Sequence, residues 1–172
     1  AEEDASTFFA EQKRFIGENT MKIGLLNGPN LNLLGKREPS IYGNFNLDDV
    51  YNNLKKIAGK SNEIVAFQSN IEGELINFIH LCPDNGVKYV IFNPGAYGHT
   101  SIALRDAITG VDLKVVEVHI SNIYKREDFR HKSLISPVAV GLISGFGIYS
   151  YEMALEYILK IENISKTTEG EL

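Results

Sequence analysis

Five short apolar runs, separated by stretches of helical spacing, constrain this chain more than any other feature. They lie at residues 22–26, 63–68, 87–92, 113–119 and 138–143. Each is nearly continuous in apolar residues, which is what burial on both faces of a parallel sheet demands. The intervening stretches carry apolar residues every three or four positions. Leu47, Val50, Tyr51, Leu54 and Ile57 form one such helical face, with Asn46 as its cap. Further helices are expected at 73–81, ended by Pro83, at 101–108, ended near Gly110, and at 150–161. Strands alternating with helices imply a parallel sheet covered on both sides. The expected fold class is α/β, a flavodoxin-like, doubly wound, five-stranded sheet in the order 2-1-3-4-5.

The chain has 172 residues, enough for one domain with a full core. With no repeat and no linker, residues 21–164 read as a single domain and the polar stretch 165–172 as a frayed tail. Residues 1–20 read as an N-terminal extension, natural or appended. It is either disordered or a short surface helix using Phe8, Phe9, Phe15 and Ile16, capped by Ser6 or Thr7. It opens acidic and lacks the basic and apolar regions of a signal peptide. No run approaches the roughly 20 apolar residues of a membrane helix. The net charge of -5 argues against a nucleic-acid partner. One cysteine, Cys82, excludes an internal disulfide and fits a reducing cytoplasm.

In sheets of this class ligands sit beyond the carboxyl ends of the strands. The polar residues of this chain concentrate there. The first strand runs into "NGPNLNLLGKREPSIYG" at 27–43, the third into "FNPGAYGHTS" at 92–101, and the fourth into "EVHISN" at 117–122, followed by "KREDFR" at 125–130. Asn30, Arg37, Tyr42, Asn93, His99, Glu117, His119, Ser121, Arg126 and Arg130 thus converge on one edge. Glu117 and His119 are two apart on a strand and share a face, so the carboxylate can fix the imidazole tautomer. Plainer readings exist for several of these. Asn27 can simply shape a turn, Asn93 can initiate one before Pro94, and His99 can cap the following helix. Arg126 and Arg130 can be a solvated patch, sharing a face if that stretch is helical. His80, His131 and Cys82 read as structural or surface residues. "SGFG" at 144–147 could cradle an anion through its backbone. No phosphate-binding loop and no metal-ligand spacing is present in the sequence, so no cofactor and no metal are expected.

Together these stretches resemble the type II 3-dehydroquinate dehydratases (3-dehydroquinases), from about Met21 to Ile158. "NGPNLNLLGKREPSIYG", "FNPGAYGHTSIALRDA", "EVHISN", "REDFR" and "GFG" occur in the family's order. The resemblance implies a hydro-lyase that needs neither metal nor cofactor. It would dehydrate 3-dehydroquinate to 3-dehydroshikimate by anti elimination through an enolate, in the shikimate or quinate pathway. By motif match Tyr42 is the base. A free tyrosine titrates near 10, so use near neutrality asks for roughly 3–4 kcal/mol favouring the phenolate. The guanidinium of Arg37, on the same loop, and that of Arg126 would supply much of it. Pro39 and Gly43 would limit and hinge that loop as a lid. Asn30 would hold the enolate oxygen directly or through a water. His119, oriented by Glu117, would protonate the leaving hydroxyl. Ile120, Ser121 and Asn93 would bind the substrate carboxylate, and His99 and Arg130 the ring hydroxyls. Asp106 matches a residue reaching into a neighbouring subunit, which implies trimers assembling to a dodecamer. Gly98 stands where a hydroxyl residue is common, and Asp128 where Glu is frequent. Two competing readings are a flavodoxin-like, non-catalytic ligand-binding module and a silent scaffold or regulator.

Overall fold

The computed structural model describes residues 4–12, 20–35 and 45–169. Strands β1 (Met21–Asn27), β2 (Asn62–Gln68), β3 (Val87–Asn93), β4 (Lys114–His119) and β5 (Gly141–Ser144) form one parallel sheet. Its order is β2-β1-β3-β4-β5, as the alternating pattern predicts. Helices α1 (Ala5–Gln12), α2 (Leu47–Ala58), α3 (Glu72–Leu81), α4 (Ile102–Gly110) and α5 (Tyr149–Glu169) cover both faces.

Period-two alternation assigns each strand residue to one of two cores. Ile23, Leu25, Tyr89, Ile91, Val116 and Val118 pack with α2 and α5. Leu26, Val90, Phe92 and Val115 face the other way, toward α3 and α4. Glu117 and His119 follow Val115 on that second face.

The helix termini show why the segments begin where they do. Asn46 Oδ1 accepts from Asp49 N at 2.9 Å, and Asn46 N donates back to the Asp49 carboxylate at 2.9 Å. That reciprocal box satisfies two end groups of α2, as the position of Asn46 suggests. Ser101 Oγ accepts from Leu104 N at 2.9 Å and caps α4. The His99 side chain therefore has no capping role.

Three boundaries depart from the sequence expectation. The fifth strand is shifted to residues 141–144, because residues 136–138 form a 3₁₀ turn. Helix α5 continues past residue 161 to Glu169. Helix α1 starts at Ala5, and its first turn is capped by Asp4, whose carboxylate accepts from Thr7 N at 2.8 Å. Ser6 and Thr7 lie inside it.

Helix α1 docks on aromatic surface. Phe9 is buried, with its ring 5.0 Å from that of Phe78, and Phe78 stacks on Phe67 at 5.2 Å. Phe8 meets Phe67 at 5.4 Å. Glu74 accepts the Ala5 N–H at 3.0 Å, placing a carboxylate at the positive end of the helix. Phe15 and Ile16 lie outside the described residues.

Candidate active site

The carboxyl ends of β1, β3 and β4 open into a cavity of about 240 Å³. Asn30, Asn93, His99, His119, Ile120, Ser121, Arg126 and Arg130 all line it. Residues up to 100 positions apart are thus gathered by three neighbouring strands and the turns that follow them. Arg37, Tyr42, Pro39 and Gly43 lie outside the described residues. Asp106 is exposed on α4 and does not line this cavity.

The junction of β1 and β3 is held by close backbone approach. Gly28 N donates to Asn93 O at 2.8 Å, and a Cβ on Gly28 would fall 2.3 Å from Pro94 O. Only glycine fits. Just beyond, Asn30 adopts a left-handed conformation with φ 66°. Its N–H is accepted by Asn70 Oδ1 at 2.8 Å, and Tyr97 donates its hydroxyl to Asn70 O at 2.9 Å.

Asn27 and Asn93, at the ends of adjacent strands, do more than shape turns. The fully buried Tyr151 hydroxyl donates to Asn27 Oδ1 at 2.8 Å and accepts from Asn93 Nδ2 at 2.7 Å. Asn93 Oδ1 also accepts from Gly95 N at 3.2 Å. The Asn93 amide that reaches the cavity is therefore fixed in orientation. Burial pushes the Tyr151 phenol well above its usual range, so it stays a neutral hydrogen-bonding group. Sequence reasoning missed Tyr151. The one available signal was a pair of buried strand-end asparagines in need of a common partner.

Glu117 is fully buried, and its Oε1 lies 2.7 Å from His119 Nε2. Burial alone would raise its carboxyl pKa. The hydrogen bonds from His119, Ser136 and Ser133 outweigh that and hold it below the ordinary value. His99 stacks on His119 with ring centres 5.9 Å apart. Burial lowers the His99 pKa and favours its neutral form. Its Nδ1 lies 2.9 Å from the Lys132 carbonyl.

Arg126 and Arg130 do not share a helix. Arg126 ends one 3₁₀ turn, Ile123–Lys125, Arg130 lies in a second, Asp128–Arg130, and Glu127 stands between them. Arg130 Nε is 2.9 Å and Arg126 Nε 3.5 Å from Glu127 Oε2. This carboxylate, also missed in the sequence, restrains both guanidinium groups beside the cavity. Its own backbone N–H, then Arg130 and Arg126, keep its pKa below the usual range. Arg126 Nη1 also reaches Ser121 Oγ at 3.4 Å.

The "SGFG" turn is not an anion cradle. Gly145 N donates to His119 O at 3.1 Å and Gly147 N to Ile120 O at 3.0 Å. These glycines, with φ 98° and 63°, instead fix the backbone of the β4 exit. Among the described residues, no three His, Cys, Asp or Glu side chains group as metal ligands.

The arrangement unites hydrogen-bond donors for an anionic ligand, an imidazole backed by a buried carboxylate, and two cations. It suits proton transfer on a small polar molecule. A family model described as "Dehydroquinase class II" matches residues 21–159. The chain belongs to the class II dehydroquinases.

Relatives in this family are close in sequence and length. A 3-dehydroquinate dehydratase from Vesicomyosocius okutanii is 57% identical over 139 residues, covering 79% of this chain and 92% of the relative. One from Helicobacter hepaticus is 51% identical over 144 residues, covering 83% and 91%. Among solved structures, the type II dehydroquinase from Butyrivibrio crossotus superposes with a TM-score of 0.77 at 46% identity. That match covers 80% of this chain and 97% of the other. The family match begins at residue 21, so α1 precedes the matched region.

Proposed function

We infer that this chain is a hydro-lyase that removes water from 3-dehydroquinate to give 3-dehydroshikimate. The observation that carries the reading is the buried Glu117–His119 pair facing a polar cavity in a class II dehydroquinase fold. The family match favours this over a non-catalytic flavodoxin-like module.

In the mechanism we propose, Tyr42 as phenolate takes the proton beside the ketone, and Arg37, with Arg126, stabilises that phenolate. The electron pair moves into an enolate whose oxygen is held by Asn30, directly or through a water. The ring hydroxyl then leaves with a proton from His119, and water is released. A proton donor beside the departing oxygen lowers the barrier to its loss. Ile120, Ser121 and Asn93 bind the substrate carboxylate, and His99 and Arg130 hold ring hydroxyls. The cavity position of these last five residues supports their roles. Asp106 on the exposed face of α4 completes a neighbouring site in a trimer, four of which form a dodecamer. We place the enzyme in the cytoplasm. Among the described residues no helix is long and apolar enough to cross a membrane.

The test is to mix the protein with 3-dehydroquinate and a chelator and follow the ultraviolet absorbance of the conjugated enone. Product is expected from the native chain. Tyr42→Phe is expected to abolish turnover while substrate still binds, and near-normal turnover would overturn the assignment of the base.

A further inference from the structure

The stretch between β4 and β5 holds the two histidines of the cavity in opposite tautomers. Ser133 Oγ accepts from Ile135 N and Ser136 N, both at 3.0 Å. With both acceptor positions filled, its single proton is left to donate, and it points at the Glu117 oxygens, 2.8 and 3.0 Å away. Ser136 Oγ donates to Glu117 Oε2 as well. Gly98, whose Cβ would lie 3.6 Å from Glu117 Oε1, brings no side chain there, so both hydroxyls come from this one segment.

Glu117 receives two hydroxyl protons and, although burial opposes it, is held below its ordinary pKa by these bonds and that from His119, so it is an ionised acceptor. The nitrogen facing it, His119 Nε2, must then carry a hydrogen. That leaves Nδ1 as the cavity-facing nitrogen of His119, an acceptor in the neutral ring and a donor to the leaving hydroxyl once the ring carries a second proton. One residue before Ser133, the Lys132 carbonyl accepts from His99 Nδ1, which leaves His99 Nε2 as the acceptor. Three further contacts hold the segment itself. Leu134 N donates to Gly98 O at 2.7 Å, Arg105 Nη1 donates to Leu134 O at 3.2 Å, and Ile135 is fully buried.

We propose that Ser133 and Ser136 are positioning residues that fix His119 as the Nε2–H tautomer through Glu117, while the adjacent Lys132 carbonyl fixes His99 as the Nδ1–H tautomer. The two stacked rings thus turn Nδ1 of His119 and Nε2 of His99, each without a hydrogen in the neutral ring, toward one ligand. The consequence for turnover rests on the proposed role of His119 as proton donor. The tautomer assignment does not.

Nitrogen-15 NMR of histidine-labelled full-length protein reads the tautomers directly. The native chain is expected to show His119 with hydrogen on Nε2 and His99 with hydrogen on Nδ1. In Ser136→Ala, and more so in Ser133→Ala/Ser136→Ala, His119 is expected to become a mixture while His99 keeps its tautomer. Ser136→Thr, which restores the hydroxyl, should restore the single state. A single Nε2–H form in the double variant would overturn the proposal, as would Nδ1–H on His119 in the native chain. If the double variant does not fold, the Ser136→Ala and Ser136→Thr pair decides by the same readout. Turnover is the second measurement. Ser136→Ala should lower kcat about tenfold with KM within about twofold, the pattern of an interaction acting mainly in the transition state. Mixed tautomers with unchanged kcat would confirm the positioning role and remove His119 from the chemistry.

Discussion

Replacing Tyr151 by Phe removes one oxygen and leaves the buried ring in place. That oxygen serves two partners, Asn27 Oδ1 at 2.8 Å and Asn93 Nδ2 at 2.7 Å, and all three residues are buried. Each amide would lose a hydrogen bond where water does not readily replace it. A buried group left unsatisfied costs about 1–3 kcal/mol. Two such groups give about 2–4 kcal/mol, because the amides recover part of the loss by small rotations. For a domain of this size, each kcal/mol moves the midpoint by roughly 2–4 °C, so the expected fall is about 5–15 °C. Thermal unfolding of the two proteins at equal concentration measures it, since assembly also shifts Tm. Tyr157→Phe on the same helix is the control. Tyr157 is 41% exposed, and its loss should stay within about 0.5 kcal/mol. If Tyr151→Phe also stays within about 0.5 kcal/mol, the bridging hydroxyl does not hold the strand ends together.

Two more outcomes test other parts of the structure. Phe9→Ala should lower the unfolding midpoint and speed proteolytic removal of the N-terminal segment, since Phe9 is α1's buried anchor on Phe78. Activity should persist, because no α1 residue lines the cavity. An unchanged cleavage rate would show that α1 docks without Phe9. The second concerns acid. Glu117 is held below its ordinary value of 4.5, so the unfolded state binds the proton more readily. Its contribution is therefore complete above that ordinary value and is lost as pH falls through the folded value. Urea unfolding at about pH 6 and about pH 3 should show the stability gap between the native chain and Glu117→Gln narrowing in acid. A constant gap would mean that Glu117 is not stabilised as an anion.

The sheet was readable because double-sided burial leaves a continuous apolar run, and α2 because both its periodicity and its cap are local. The convergence of Asn30, Asn93, His99 and His119 followed from one rule about strand ends. Other parts depend on distant contacts. Phe8 and Phe9 give α1 an apolar face, but the aromatic surface on which it docks comes from Phe67 and Phe78, distant in sequence. Tyr151 looks like any core residue at helical spacing beside Ala154, Leu155 and Ile158. Its hydroxyl meets residues 58 and 124 positions away, which no local pattern announces. Ser133 and Ser136 sit among Leu134, Ile135 and Pro137 in a stretch with no helical or strand periodicity to single them out. The polar residues after Ile161 suggested an end to α5, yet Lys and Glu are compatible with helix, and it continues to Glu169.

The link from β4 to β5 contains no α-helix, only short turns. In a wound sheet this crossover usually gives cover alone. Here it plugs the core with Ile135 and reaches both imidazoles through neighbouring residues. The spacing from Lys132 to Ser136 is consequently fixed. Adding or deleting one residue within 132–136 would displace a core plug and the partners of two imidazole rings in a single step, so a change of length is expected to be tolerated only outside that stretch.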